Sequence, residues 1–374
     1  MIEKKKIAIV TCAWPPLGGG IGNNAYYQAK ELAKMDYPVT VFTPKFRHII
    51  EEEEQSFKVE YLPVQFEFGK AGLLLSLWKK LNDFDIIYLY YPFFGTDLIV
   101  WFFKVFHRDK KLILHYAMDP IGTGWQKWFF KFYLNFFLGW LIQESVKVVG
   151  LSWDHVENSY LAKYLKKWRN KIVIIPNGID TNIFYPREKK NDNLKTITFV
   201  GGLDKQHFFK GVEVLFQAFN KLDIANKKLL IIGDGAMKAD YEQQAKDLGI
   251  ANQVEFTGWI KNEKLPEYYA QSDVFVLPST ASTECFGIVV AEAQACGVPA
   301  VISDWPGVRK TIEDGVTGLL VKPSDVDDLK EKLETILTDE KLKQQMGEQG
   351  AERAKKLYAW DKVIIKTDKL YNDV

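Results

Sequence analysis

Cysteine is scarce in this chain: Cys12, Cys285 and Cys296 are the only three among 374 residues. At these separations they make neither a disulfide framework nor a metal-ligand spacing, and they point to a reducing compartment. Long apolar runs are missing too. No uncharged apolar stretch reaches about 18 residues, so no membrane-spanning helix is expected. Charge of one sign is lacking: 49 Lys+Arg against 48 Asp+Glu leave a net +1, which argues against a nucleic-acid footprint over the whole surface. That balance hides an asymmetry. Residues 1–180 hold 23 Lys+Arg against 18 Asp+Glu, and the remainder 26 against 30. A basic first half points to an acidic partner surface there. The N-terminal "MIEKKKIAIVTCAWPP" has too short an apolar run, and no small-residue cleavage site, for a signal peptide. The expectation is a cytoplasmic protein, with the inner face of the cytoplasmic membrane as the alternative placement.

What is present is a long alternation. Strand-like runs such as "KKIAIVTCA", "DIIYLYY" and "KLILHYA" punctuate the first half; "KTITFVGG", "KLLIIGDG" and "DVFVLPS" punctuate the second. They are near-continuously apolar, as strands are when helices cover both sheet faces. The chain is also longer than one core usually supports. Two doubly wound, Rossmann-like α/β domains follow, 1–178 and 179–355, with the break near "PNGIDTNIFYPREKKNDNLK". The "EEEE" at 51–54 reads as a solvated loop. Ligands of such sheets bind at the carboxyl ends of the strands. Two domains facing each other would place a cleft there.

"PPLGGGIGNNA" contains G-x-G-x-x-A, the dinucleotide fingerprint. Two features oppose a NAD(P) reading: "TCAWPPL" separates strand from glycines, and the second strand ends in Thr43 and Pro44 with no carboxylate for a ribose. A side-chain-free loop whose amides approach an anion, ahead of a helix starting at about Asn23, fits better than a merely flexible loop.

"STECFGIVVAEAQACGVPAVISD" carries Glu284 and Glu292 in an E-x7-E spacing. With a helix starting near Phe286–Gly287, Glu284 falls in the strand-to-helix loop and Glu292 over a turn into the helix. Gly287, Ile288 and Val289 then offer first-turn amides and the positive dipole end to an anion. Carboxylates accept from hydroxyls, so amides between two acceptors suit a sugar diphosphate flanked by hydroxyl-rich rings. The bland alternative is a helix cap and a surface glutamate.

With "LPS" before this block, "FG" within it and "ACGVPAVIS" after it, the chain resembles the retaining glycosyltransferases of family 4, which have the GT-B fold. "WPPLGGGIG", "PNGID", "VGGLDKQHFFKG", "LLIIGDG" and "VEFTGWI" extend the resemblance over essentially the full length. It implies transfer of a hexose from a nucleotide sugar to a hydroxyl acceptor. Glu284 would contact the donor sugar's hydroxyls and Glu292 the nucleotide ribose. The amides of Gly287, Ile288 and Val289, next to Phe286, would contact phosphate or sugar. Gly19 and Gly20 would approach the diphosphate from the other domain, and Gly258, Trp259 and Ile260 would lie along the base. The C-terminal amphipathic helix, about 356–374, would pack back on the first domain.

Two departures stand out. Many relatives carry an arginine where this chain has Gly202; Lys205 is the substitute, beside Lys210, which matches the later family lysine. Relatives often place a histidine where Ala117 stands. His115, two residues earlier, either substitutes or is a core histidine, and Asp119 becomes a candidate acceptor partner or base. "DFD" (Asp83, Phe84, Asp85) precedes its strand, at the wrong sheet end for a metal site, so no metal and no cofactor are expected. The resemblance implies same-face substitution, with the leaving phosphate helping to deprotonate the acceptor.

The stretches 98–111 and 122–143 are heavily aromatic, with Lys127 and Lys131 four apart. They read either as helices packed on the sheet or as a peripheral membrane contact suited to a lipid-linked or surface-glycan acceptor. Competing functions are a nucleotide-sugar epimerase or hydrolase of the same fold, and a non-catalytic nucleotide-sugar-binding protein.

Overall fold

The computed structural model describes residues 4–15, 19–45, 56–68, 71–120, 124–188 and 193–374. The "EEEE" segment and part of the loop before Gly19 lie outside them. The chain divides into two compact units, Met1–Gly178 with Trp360–Val374, and Ile179–Ala359.

In the first unit, β1 (Ile7–Val10), α1 (Gly19–Lys34), β2 (Val39–Pro44) and β3 (Lys58–Leu62) are followed by a small hairpin, β4 (Glu67–Phe68) and β5 (Ala71–Gly72). Then come α2 (Leu77–Lys80), β6 (Ile86–Tyr91), α3 (Thr96–Phe106), β7 (Lys111–Tyr116), α4 (Trp125–Glu144), β8 (Lys147–Gly150), α5 (Trp153–Asn158), α6 (Leu165–Trp168) and β9 (Ile172–Ile174). Seven strands form one parallel sheet in the order β3-β2-β1-β6-β7-β8-β9. Successive side chains of a strand point to opposite faces, and the core divides accordingly. Ile7, Ile9 and Tyr88 pack under α1 with Ala25, Ala29 and Leu32. Ala8, Leu89 and Tyr91 pack on the other face with Phe103, Leu134 and Leu138. Both faces are dry, which is why these strands read as unbroken apolar runs.

The second unit runs β10 (Lys195–Val200), α7 (Val212–Lys221), β11 (Lys227–Ile232), α8 (Lys238–Asp247), β12 (Val254–Gly258), α9 (Leu265–Tyr269), β13 (Val274–Leu277), α10 (Ile288–Ala295), β14 (Ala300–Ser303), β15 (Gly318–Val321), α11 (Val326–Thr338) and α12 (Glu340–Tyr358). Its parallel sheet has the order β12-β11-β10-β13-β14-β15. The order reverses between β10 and β13, the crevice where doubly wound sheets bind ligands.

The chain enters this unit at Ile179 and leaves it at Ala359, and these two residues form a parallel bridge. The last helix, α13 (Trp360–Asn372), belongs to the first unit. It contributes Trp360, Val363, Ile364 and Leu370 to the α1 face of that core. Gln28 of α1 donates to the Tyr371 hydroxyl at 3.0 Å.

Candidate active site

Two loops leave the carboxyl ends of β10 and β13 at the reversal point of the second sheet. In the first, a tight turn over Lys205–Lys210 ends at Gly211, which caps α7 in the left-handed region at φ 76°. The Lys210 side chain folds back over the loop; a Cβ on Gly201 would lie 2.7 Å from its Cδ. Its Nζ sits 2.8 Å from Glu284 Oε2 in the second loop, with the side chains only 13% and 17% exposed. The loops are tied together, because the Thr280 amide donates to the Phe209 carbonyl at 2.6 Å. From the far side, Trp305 Nε1 donates to the Ser279 carbonyl at 2.9 Å.

Beyond Glu284, α10 starts at Ile288 with Gly287 as its N-cap at φ 70°, and no side chain caps it. The first amides of a helix have no intrahelical acceptor. Gly287, Ile288 and Val289 therefore sit at an uncapped, positively polarised helix end, next to the lysine–glutamate pair. Phe286 is buried, its ring edge-on to Tyr358 at 5.2 Å. This arrangement can receive an anion and a hydroxyl-bearing group side by side.

Glu292 is more deeply buried than a carboxylate on an open helix face. It is 6% exposed and lies beside Tyr269, and burial pushes its pKa up to about 7. A carboxyl whose folded pKa is raised contributes stability below its unfolded value of about 4.5 and loses it as pH rises through the folded value. Glu292→Gln removes that dependence. Between pH 5 and pH 8 the wild type should lose up to roughly 3 kcal/mol relative to the variant, read as diverging urea midpoints. Parallel curves would disprove the burial argument.

Gly258 closes β12 at φ 73°, and its carbonyl accepts from the Gly233 amide at 3.0 Å. Trp259 is exposed and Ile260 half-buried beyond it. Lys205 is exposed at the start of its turn. His207, in the same turn, packs against the start of the loop. Its imidazole fills the space beside Gly202, where a Cβ would meet Nδ1 at 2.8 Å. A side chain at 202 and this histidine compete for one volume. A contact across a tight turn leaves no periodic signal, so the sequence alone did not reveal it.

In the first unit, α1 begins at Gly19, four residues earlier than Asn23; Gly19 has φ 56°, and both Gly19 and Gly20 are exposed. Gly22 explains the early start. A Cβ there would lie 3.1 Å from the Ala13 carbonyl carbon and oxygen, so the helix lies directly on the strand exit.

His115 is buried in the first unit. It is 3% exposed, its Nδ1 lies 2.9 Å from the Tyr88 hydroxyl, and burial pushes its pKa down to about 3. Asp119 accepts from the Tyr116 hydroxyl and from the Tyr160 amide at 3.2 Å, and burial raises its pKa. It ties the turn after α5 to the end of β7. Asp85 accepts from the Lys6 amide at 2.8 Å, at the amino end of the sheet. Among the described residues there is no cluster of three or more His, Cys, Asp or Glu that could hold a metal ion.

Two family models cover this architecture: Glycosyltransferase Family 4 over residues 18–183, and Glycosyl transferases group 1 over residues 180–353. The chain belongs to these GT-B glycosyltransferase families. Two relatives are uncharacterised glycosyltransferases of Methanocaldococcus jannaschii. One is 33% identical over 54% of each chain, and the other 29% identical over 96% of each chain. Among solved structures, Anabaena HepE in complex with UDP superposes with a TM-score of 0.80 at 18% identity, covering 99% of this chain and 100% of that one. The GT-B fold thus holds for the whole chain, while the site geometry above is its own.

Proposed function

We propose that the protein is a metal-independent retaining hexosyltransferase, moving a hexose from a nucleotide sugar to a hydroxyl acceptor. The observation that carries this reading is the Lys210–Glu284 pair, 2.8 Å apart beside an uncapped helix start. Glu284 accepts from the donor sugar's hydroxyls. Lys210, Lys205 and the amides of Gly287, Ile288 and Val289 stabilise the charge that grows on the leaving diphosphate. Glu292 receives the ribose hydroxyls, and the stretch Gly258–Ile260 lies along the base. The bond from the anomeric carbon to the phosphate oxygen breaks, and the acceptor oxygen bonds that carbon on the same face. The acceptor proton passes to the departing phosphate oxygen, so no protein carboxylate carries the sugar. HepE has been solved with UDP-glucose, which supports a nucleotide-sugar donor.

The acceptor we favour is a lipid-linked or growing surface glycan, met at the cytoplasmic face of the membrane through residues 98–143. A panel of UDP-, GDP- and ADP-sugars read by thermal shift tests the donor. At a hundredfold excess over Kd, the matching donor adds about 2.7 kcal/mol of stability, and no shift with any donor rejects the proposal. Incubation of that donor alone separates the alternatives: rapid epimerisation or hydrolysis without acceptor would mark an epimerase or hydrolase.

A further inference from the structure

The helix α4 has two faces, and only one of them is spoken for. Tyr133, Leu134, Leu138 and Leu141 are buried in the first unit's core. The Tyr133 hydroxyl donates to Asp97 of α3, a fully buried carboxyl that also accepts from the Leu98 amide at 2.9 Å. At the far end, Lys171 Nζ binds the carbonyls of Ile142, Gln143 and Ser145 at 2.7–3.0 Å, closing the helix's negative end. The helix is therefore fixed in rotation. Its outer face carries Trp128, Phe132, Phe136 and Trp140, exposed by 74%, 55%, 53% and 45%. Spaced four apart, they form one row about 18 Å long. Trp140 stacks on Trp101 of α3 at 5.2 Å, and α3 adds exposed Phe102 and Phe106.

The adjacent row of α4 is Lys127, Lys131 and Asn135, and Lys163 Nζ donates to Asn135 Oδ1 at 2.7 Å. Lys163 is the first basic residue of a stretch, 160–171, with five Lys or Arg and no Asp or Glu. This stretch is fastened beside α4 by the Tyr164 hydroxyl, which donates to the Leu134 carbonyl at 3.0 Å. No carboxylate occurs on α4 before Glu144. The result is an aromatic row with a basic edge.

We propose that this face of α4, together with the basic stretch beginning at Lys163, seats the protein on an anionic lipid surface, aromatic row in the interface and lysines toward the headgroups. A protein partner fits less well, because lysine is depleted at the core of protein interfaces. A spanning role is out of reach, because among the described residues no helix is long and apolar enough to cross a membrane. Trp and Phe beside Lys suit the headgroup boundary, and each lysine near an anionic surface adds to binding. The inference deepens the lipid-linked acceptor reading and rests on it for its purpose, not for its physics.

Co-sedimentation of the full chain with phosphatidylcholine vesicles, with and without phosphatidylglycerol, tests it. Wild type should pellet with the anionic vesicles and less as salt rises. Lys127→Glu/Lys131→Glu should lose roughly tenfold or more in partition on anionic vesicles only. Phe132→Ser/Phe136→Ser should lose about as much on both compositions. Melting temperatures should stay unchanged, since all four side chains are exposed. Wild type remaining in the supernatant with anionic vesicles would overturn the proposal. So would variants that pellet like wild type, or variants that merely turn a dimer into a monomer, which would mark an interface between copies of this chain. The assay contains no nucleotide sugar, so failure to detect glycosyl transfer would leave this result intact.

Discussion

Replacing Glu284 with glutamine is expected to lower kcat by about a hundred- to a thousandfold while leaving nucleoside diphosphate affinity nearly unchanged. The substitution keeps the shape and one acceptor oxygen but removes the charge 2.8 Å from Lys210. Without it, a lysine that is 13% exposed loses its partner, and the sugar loses a charged acceptor for its hydroxyls. Lys210→Ala should lower kcat by a similar factor for a different reason: in the proposed reaction the leaving diphosphate loses a cation that stabilises it. The two variants separate in binding. Lys210→Ala should also weaken nucleoside diphosphate affinity, whereas Glu284→Gln should not. Steady-state kinetics with the donor from the thermal-shift panel, and calorimetry with the matching diphosphate, read both. Unchanged kcat in both variants would remove the site assignment altogether.

Gly211→Ala should cost about 3 kcal/mol or more. Two effects add. The residue sits at φ 76°, where a side chain is strained. A Cβ there would also stand 2.0 Å from the Pro278 carbonyl oxygen and 3.0 Å from its carbon. Those are backbone atoms at the end of β13, so neither side can yield without moving Lys210 away from Glu284. Gly249 is the matched control. Its φ is 72°, yet nothing lies within 4 Å of its would-be Cβ. Gly249→Ala should cost only about 1 kcal/mol, the strain of the left-handed conformation alone. Urea midpoints compare them directly. Equal losses would mean that the close approach of the two loops is not what position 211 requires.

The residues of the proposed donor-side site were legible for a local reason. Glu284, Gly287 and Glu292 belong to one strand–loop–helix unit, and Lys210 follows its own strand by a fixed short loop. Spacing along the chain therefore placed them near a strand end. Solvation was not legible. Glu292, the proposed ribose ligand, is almost enclosed beside Tyr269. Asp119, a candidate acceptor partner or base, accepts from the Tyr160 amide, 41 residues away in sequence. His115, open to two roles in the sequence, is buried against Tyr88 of the neighbouring strand. Each outcome depends on partners remote in sequence.

α4 makes the same point in the other direction. Its aromatic residues go nearly all the way round, so periodicity names no inner face, and the core and membrane readings looked exclusive. Packing buries one face and leaves the other exposed, because Tyr133 meets Asp97 and fixes the rotation. By itself the sequence determined two wound parallel sheets, their strand ends and the residues delivered there, since apolar runs and short loops act locally. Only the tertiary structure decided which of those side chains keep their charge exposed, which are consumed by the core, and which face of α4 is left to meet something else. Burial and hydrogen bonding are properties of what surrounds a residue, and its neighbours in the chain do not carry them.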